Sequence, residues 1–132
     1  MRAFLDTSIL IADATANEPA PDLTDITSQV SSVVISELQF GVALAVNPRA
    51  RAQRELRLQR ILALYRGGIP YDDDAAASFG YLTNLVIAAG QNPRVACVDR
   101  MIAAAAHSRN VALVTRDNRF QVFQNEIHVE IR

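Results

Sequence analysis

The chain has 132 residues, half of them hydrophobic, and a formal net charge of -1. That length suits one domain, 1–132, with a core of its own, and that composition excludes a disordered chain. The near-neutral balance gives no overall bias toward a polyanionic partner, although the 13 basic residues are all arginine.

In chain order, Ala3 to Leu5 reads as a short buried strand. Thr7 to Ala16 follows as a helix, with Asp6 or Thr7 at its N-cap. Residues Asn17 to Gln29, with Pro19 and Pro21, read as a loop or broken helix. The β-branched run Ser32 to Ile35 predicts a second strand. Ser36-Glu37-Leu38-Gln39 then fits a capping box, placing Glu37 in a helix's first turn. Asn47-Pro48 starts a helix in which Leu58, Ile61, Leu62 and Tyr65 share a buried face. Arg57 and Arg60 fall on its other side, within a segment from Arg49 to Arg66 that holds six arginines. Gly67-Gly68 ends this helix, and Ile69-Pro70-Tyr71 predicts a brief edge strand.

Asp72 to Asp74 precede a helix carrying Phe79, Leu82 and Val86, with Gly90 as its stop; these three acids read as turn and cap. A helix over about 94–109, a strand Val111 to Thr115 and a half-exposed C-terminal strand around 127–131 complete the chain. Strands alternating with helices argue an α/β fold with a parallel sheet.

Four acids then stand out. Asp6 follows the first strand, Glu37 the second, Asp99 opens an alanine-rich helix and Asp117 follows the Val111 strand. In an open parallel sheet, ligands bind outside the carboxyl ends of the strands. Each acid alone is equally a cap or turn residue; four from separate strand exits predict one shared pocket. Crowded carboxylates repel one another, and a hard divalent cation with oxygen ligands relieves the repulsion. The pocket therefore reads as a Mg2+ or Mn2+ site, suited to phosphodiester cleavage. Removing these four negative charges from a net -1 leaves +3.

Other chemistries lose support. Without lysine there is no P-loop and no receiver-type phosphoacceptor site. No GxGxxG supports a dinucleotide. His107 and His128 lie far apart and read as surface residues, and Cys97 reads as a small core residue. A single cysteine, the early Asp6 and the absence of a long apolar run lead us to expect a cytoplasmic protein without a membrane span.

The blocks Phe4-Leu5-Asp6-Thr7-Ser8, Ile35-Ser36-Glu37-Leu38-Gln39-Phe40-Gly41-Val42, Asp99-Arg100-Met101-Ile102-Ala103-Ala104 and Leu113-Val114-Thr115-Arg116-Asp117 occur in order. Together they resemble a PIN-domain ribonuclease, specifically a VapC-type toxin of a type II toxin–antitoxin system. The resemblance covers essentially the whole chain. It implies a PIN-like three-layer α/β fold, a small mostly parallel sheet flanked by helices. It also implies a four-acid metal site, cleavage of RNA such as tRNA or rRNA, a homodimer and a VapB-type antitoxin. Where the family often carries a further acid after Asp117, this chain has Asn118-Arg119-Phe120.

On that reading Asp6 and Asp99 are the principal ligands of Mg2+ or Mn2+, with Glu37 and Asp117 binding directly or through water. All four are candidate catalytic residues. Thr115 is placed to bond a carboxylate or the substrate phosphate, and Arg57 and Arg60 are candidate substrate contacts. Ile9, Leu10 and Ile11 offer apolar area to an antitoxin helix, and Leu56 and Leu64 to a second copy. The alternative is a catalytically silent PIN-like module that binds RNA or protein.

Overall fold

The computed structural model of the chain describes residues 1–12 and 19–132. Four strands form one sheet: β1 (Arg2–Leu5), β2 (Thr27–Gln29), β3 (Ala112–Thr115) and β4 (Val129–Ile131). Their order is β2-β1-β3-β4 and every pairing is parallel. Parallel neighbours require crossover connections, and the helices supply them. These are α1 (Thr7–Ala12), α2 (Ser32–Ala43), α3 (Pro48–Tyr65), α4 (Asp73–Ala88) and α5 (Cys97–Ser108). A 3-10 helix, Asn118–Phe123, joins β3 to β4.

Alternation along the strands sorts the core into two layers. Phe4 and Leu113 point to one face, where α2, α3, α4 and α5 pack around Val34, Leu58, Leu82 and Ile102. Ala3, Leu5, Ala112 and Val114 point to the other, against Ile9 of α1. Successive strand side chains alternate faces, so each central strand joins helices on both sides. The expected three-layer α/β arrangement is thus present.

The second strand is not where the β-branched run suggests. Ser32 to Ile35 is the first turn of α2, capped by Ser31, whose side chain accepts from the Val34 amide. Val34, Leu38 and Val42 are buried at helical spacing, so the run serves a helix face. The strand falls instead on Thr27–Gln29, a polar edge segment within the stretch read as loop. Glu37 consequently sits in the second turn of α2, and the Ser36 capping box does not form.

Elsewhere the expected punctuation holds. Asn47 caps α3 through the Ala50 amide, and Arg66 and Gly67 end it with left-handed backbone. Asp72 caps α4 and pairs with Arg109 at 3.1 Å. Gly90, with φ +76°, and Asn110, with φ +51°, follow α4 and α5. Ile69 makes only a single parallel bridge, to Ser31. Residues 13–16 of the expected first helix, and 17–18 of the expected loop, lie outside the described residues. Among the described residues, no helix is long and apolar enough to cross a membrane.

Candidate functional site

β1 and β3 pair with Leu5 opposite Val114, so the residues that follow them emerge side by side. β1 runs on to β2 at one side, and β3 lies at its other side. The carboxyl ends of β1 and β3 therefore mark the switch point at which open α/β sheets bind ligands. Asp6 stands there, only 5% exposed. Its Oδ2 accepts from the Ser8 hydroxyl at 2.7 Å and the Thr115 hydroxyl at 2.8 Å. Ser8 Oγ in turn accepts the Arg116 amide at 3.0 Å, and Thr115 Oγ1 accepts the Asp117 amide at 3.0 Å. Two hydroxyls thus lock the carboxylate to both strand ends.

Glu37 arrives from α2 rather than from a strand exit. Thr7, the first residue of α1, donates to its Oε1 at 2.6 Å. Burial holds the Glu37 carboxyl above the ordinary range; the Thr7 bond opposes this, and the Asp6 and Asp99 charges add to it. Asp99 lies in the first turn of α5, a helix whose N-cap, Ala96, has no side chain to cap it. An acid there complements the helix dipole. Burial raises its pKa as well; Arg119 opposes the rise, and Asp6 and Asp117 reinforce it. Asp117 follows β3 and caps the 3-10 helix through the Arg119 amide, at 2.9 Å. Its pKa is lowered, chiefly by the Arg119 side chain.

Hydrogen bonds and ion pairs link the four acids in a chain: Thr7, next to Asp6, holds Glu37, Thr115 ties Asp6 to the Asp117 amide, and Arg119 joins Asp117 to Asp99. Two of them stand at strand exits and two on helices, so the convergence comes from helix packing as much as from sheet topology. The donor set is all oxygen, and two acids are held above their usual range by burial and like charge. That is the chemistry a hard divalent cation suits. Among the described residues, no three acid, histidine or cysteine side chains lie close enough together to hold a metal ion between them. Arg119 instead bridges two of the acids, 2.6 Å from Asp117 and 3.4 Å from Asp99.

Thr115 is fully buried, its hydroxyl committed to Asp6 and to the Asp117 backbone. It serves the carboxylate rather than presenting itself to a phosphate. Arg57 and Arg60 are not part of this cluster. They line a separate groove of about 730 Å3 with Leu5, Ile9, Leu10 and Leu64, to whose wall no acid among the described residues contributes. Arg57 is half-buried there, not on the solvent side of α3; burial lowers its pKa, with Arg54 adding to the effect. Its Nε is buried without a hydrogen-bond partner among the described residues. Leu56 and Leu64 line the same groove and are exposed.

Three functional side chains escaped the sequence reading. Thr7 and Ser8 sat in plain view after Asp6, where hydroxyls beside a buried acid are a usable signal. Arg119 gave none, being one arginine in a turn. Two minor expectations also change. Cys97 is exposed rather than core. His128 is exposed, but His107 is half-buried, bonded to Ser78 at 2.7 Å and stacked on Tyr81.

The PIN domain family model matches residues 3–125. The chain is 32% identical over 127 residues to Ribonuclease VapC5 of Mycobacterium tuberculosis, covering 96% of this chain and 91% of that protein. It is 33% identical over 90 residues to Toxin FitB of Neisseria gonorrhoeae, covering 67% and 63% of the two chains. A solved structure of VapBC-5, a member of the VapBC family of toxin-antitoxin systems from Mycobacterium tuberculosis, superposes with a TM-score of 0.78. It is 33% identical, covering 98% of this chain and 96% of that one.

Proposed function

The chain belongs to the PIN-domain family as a VapC-type member, and on that premise we propose that it is a metal-dependent endoribonuclease, the toxin of a toxin–antitoxin pair. The observation that carries this reading is the acid cluster at the β1/β3 switch point, each acid held by another polar side chain. A binding module gains nothing from one buried and three half-buried carboxylates oriented in this way, which disfavours a silent PIN-like module.

Asp6 and Asp99 would hold the cation, Mg2+ or Mn2+, with Glu37 and Asp117 as direct or water-mediated ligands. When bound, such an ion acidifies a water for in-line attack and offsets charge at the scissile phosphate. The chain's own groups do the rest. Ser8 and Thr115 fix the direction of the Asp6 carboxylate. Thr7 orients Glu37, whose raised pKa suits it to accept the proton of the attacking water. Chemistry of this kind does not use the RNA 2′-hydroxyl, so the products carry 5′-phosphate and 3′-hydroxyl ends.

The antitoxin fits the arginine-lined groove. Leu64 and Leu56 are exposed beside Ile9 and Leu10, and among the described residues Arg57 and Arg60 face no acid across it. An amphipathic antitoxin helix with acidic positions answers both features. A basic side chain from the same antitoxin could reach the four acids and neutralise them. A homodimer would compete for Leu56 and Leu64 if it used them. Cytoplasmic RNA such as tRNA or rRNA is the expected substrate.

The test is cleavage of RNA by the purified chain in Mg2+ or Mn2+, with chelation abolishing it and metal restoring it. Unreduced cleavage by Asp6→Asn, Asp99→Asn together removes the assignment to this pocket. Absence of cleavage by the wild type in either metal favours the silent module.

A further inference from the structure

Arg119 has a position that the proposed mechanism does not use. Its guanidinium grips Asp117 through Nε, at 3.1 and 2.9 Å to the two oxygens, and through Nη2 at 2.6 Å. The same Nη2 lies 3.4 Å from Asp99. A single cation therefore bridges two of the four acids. Yet the side chain is 74% exposed, at the open mouth of the cluster. Its backbone is anchored, since its amide donates to Asp117 and the next residue, Phe120, is buried in the core. A fixed backbone carrying a long exposed side chain can swing without disturbing the fold.

Two facts of charge then follow. A divalent cation cannot take Asp99 and Asp117 while a guanidinium holds both, so the two cations compete. A pocket of carboxylates also repels the phosphates of RNA, and a planar guanidinium at its mouth is the group that binds a phosphate bidentately.

We propose that Arg119 is a substrate-binding residue with two positions: parked on Asp99 and Asp117 in the empty site, and turned to the RNA phosphate beside the scissile bond once a divalent cation takes those acids. This rests on the nuclease reading of the acid cluster. Arg119 thereby couples metal entry to substrate capture, because the ion that displaces it frees a phosphate ligand.

The proposal is tested first without RNA. Mn2+ is titrated calorimetrically into wild type, Arg119→Ala, Arg119→Lys and Asp99→Asn. Removing a partly exposed competitor should tighten Mn2+ binding about three- to tenfold in Arg119→Ala. Arg119→Lys should fall between, since an ammonium cannot bridge both acids as a fork does. In RNA cleavage at saturating Mn2+, the Arg119→Ala KM should rise about three- to tenfold with kcat changing less, the mark of lost binding. Arg119→Lys should restore part of the KM.

Mn2+ affinity in Arg119→Ala equal to or below wild type overturns the proposal, and so does an unchanged KM. The control separates this failure from that of the underlying reading. If Asp99→Asn loses Mn2+ while Arg119→Ala matches wild type, only the role of Arg119 falls. If wild type and Arg119→Ala alike bind no Mn2+, the metal site falls and takes the proposal with it.

Discussion

At the carboxyl ends of β1 and β3 each acid leans on another polar side chain, whereas along α3 the groove arginines face no acid among the described residues. Asp6 has Ser8 and Thr115, Glu37 has Thr7, and Asp99 and Asp117 share Arg119. Arg57, by contrast, is half-buried beside Arg54 with an unpartnered Nε among the described residues. Side chains aligned by other side chains make a site ready for chemistry, which needs fixed geometry. Cations left without acids beside exposed leucines make a surface ready for a partner that brings the acids itself. On the proposed reading, the difference gives reaction to one region and recognition to the other.

The sharpest way to break this division is to disable the acids alone. Asp6→Asn or Asp99→Asn should lower RNA cleavage on the order of a thousandfold, as expected for removing a charged group acting at the transition state. Co-purification with the proposed antitoxin should persist, weakened at most by the loss of one charge-assisted bond to the acids, because the groove is untouched. Loss of both functions together would show that the two regions are one.

The converse change belongs in the groove. Leu64 is 74% exposed, so Leu64→Glu should leave the fold and cleavage intact. It should weaken antitoxin binding about thirtyfold, the scale of a hot-spot residue. Arg57→Ala with Arg60→Ala should flatten the salt dependence of antitoxin binding. The RNA salt slope should not change, since a phosphate contact in single-stranded RNA is worth about 0.7 in log–log slope. A flattened RNA slope would instead move these arginines to the substrate.

Within the acid site, Thr115→Val tests whether positioning matters as well as charge. Valine keeps the shape but removes the hydroxyl between Asp6 and the Asp117 amide. Activity should fall about ten- to a hundredfold, the usual cost of removing a group that orients a metal ligand. Stability should fall by about 1–3 kcal/mol, because the Asp117 amide loses its acceptor and the buried Asp6 carboxylate keeps only Ser8 of its two hydroxyl donors. Unchanged kcat/KM in Thr115→Val would show that Asp6 holds its direction without help.

Much of this could be read before any coordinates. Asp6 and Asp117 stood out because one directly follows, and the other comes two residues after, an apolar run that reads as a buried strand. Glu37 stood out as a candidate acid, but for a reason that failed. Val33-Val34-Ile35 looks like a strand because β-branched residues favour sheets, yet Ser31 caps a helix there and the 34, 38, 42 spacing buries it. Propensity lost to packing. The true edge strand, Thr27–Gln29, carries no apolar alternation, since it shields little core. Thr115's choice of Asp6 over a phosphate depends on β1/β3 register, and the reach of Arg119 depends on a turn after β3. Neither is a property of local sequence.

The smallest expected effect concerns how strain in the acid site depends on pH. Burial raises the Glu37 carboxyl, with help from Asp6 and Asp99. A carboxyl with a higher pKa folded than unfolded binds its proton more tightly in the folded state. Folding is therefore unpenalised while the group is protonated in both states, and it loses stability as pH rises from the ordinary glutamate value through the raised one. Above that window the penalty is complete. Glu37→Gln keeps an acceptor for the Thr7 hydroxyl but removes the charge. In chelator its melting temperature should exceed that of wild type at pH 7, and the gap should close toward pH 4. Adding Mn2+ at pH 7 should narrow the gap from the other side, because a cation stabilises the ionised cluster of the wild type more than that of the variant. Thermal melts across pH, with and without Mn2+, check all three. A gap of the same size at pH 4 and pH 7 would mean that the introduced amide stabilises by packing, and that the acids of this site carry no repulsion for a metal to relieve.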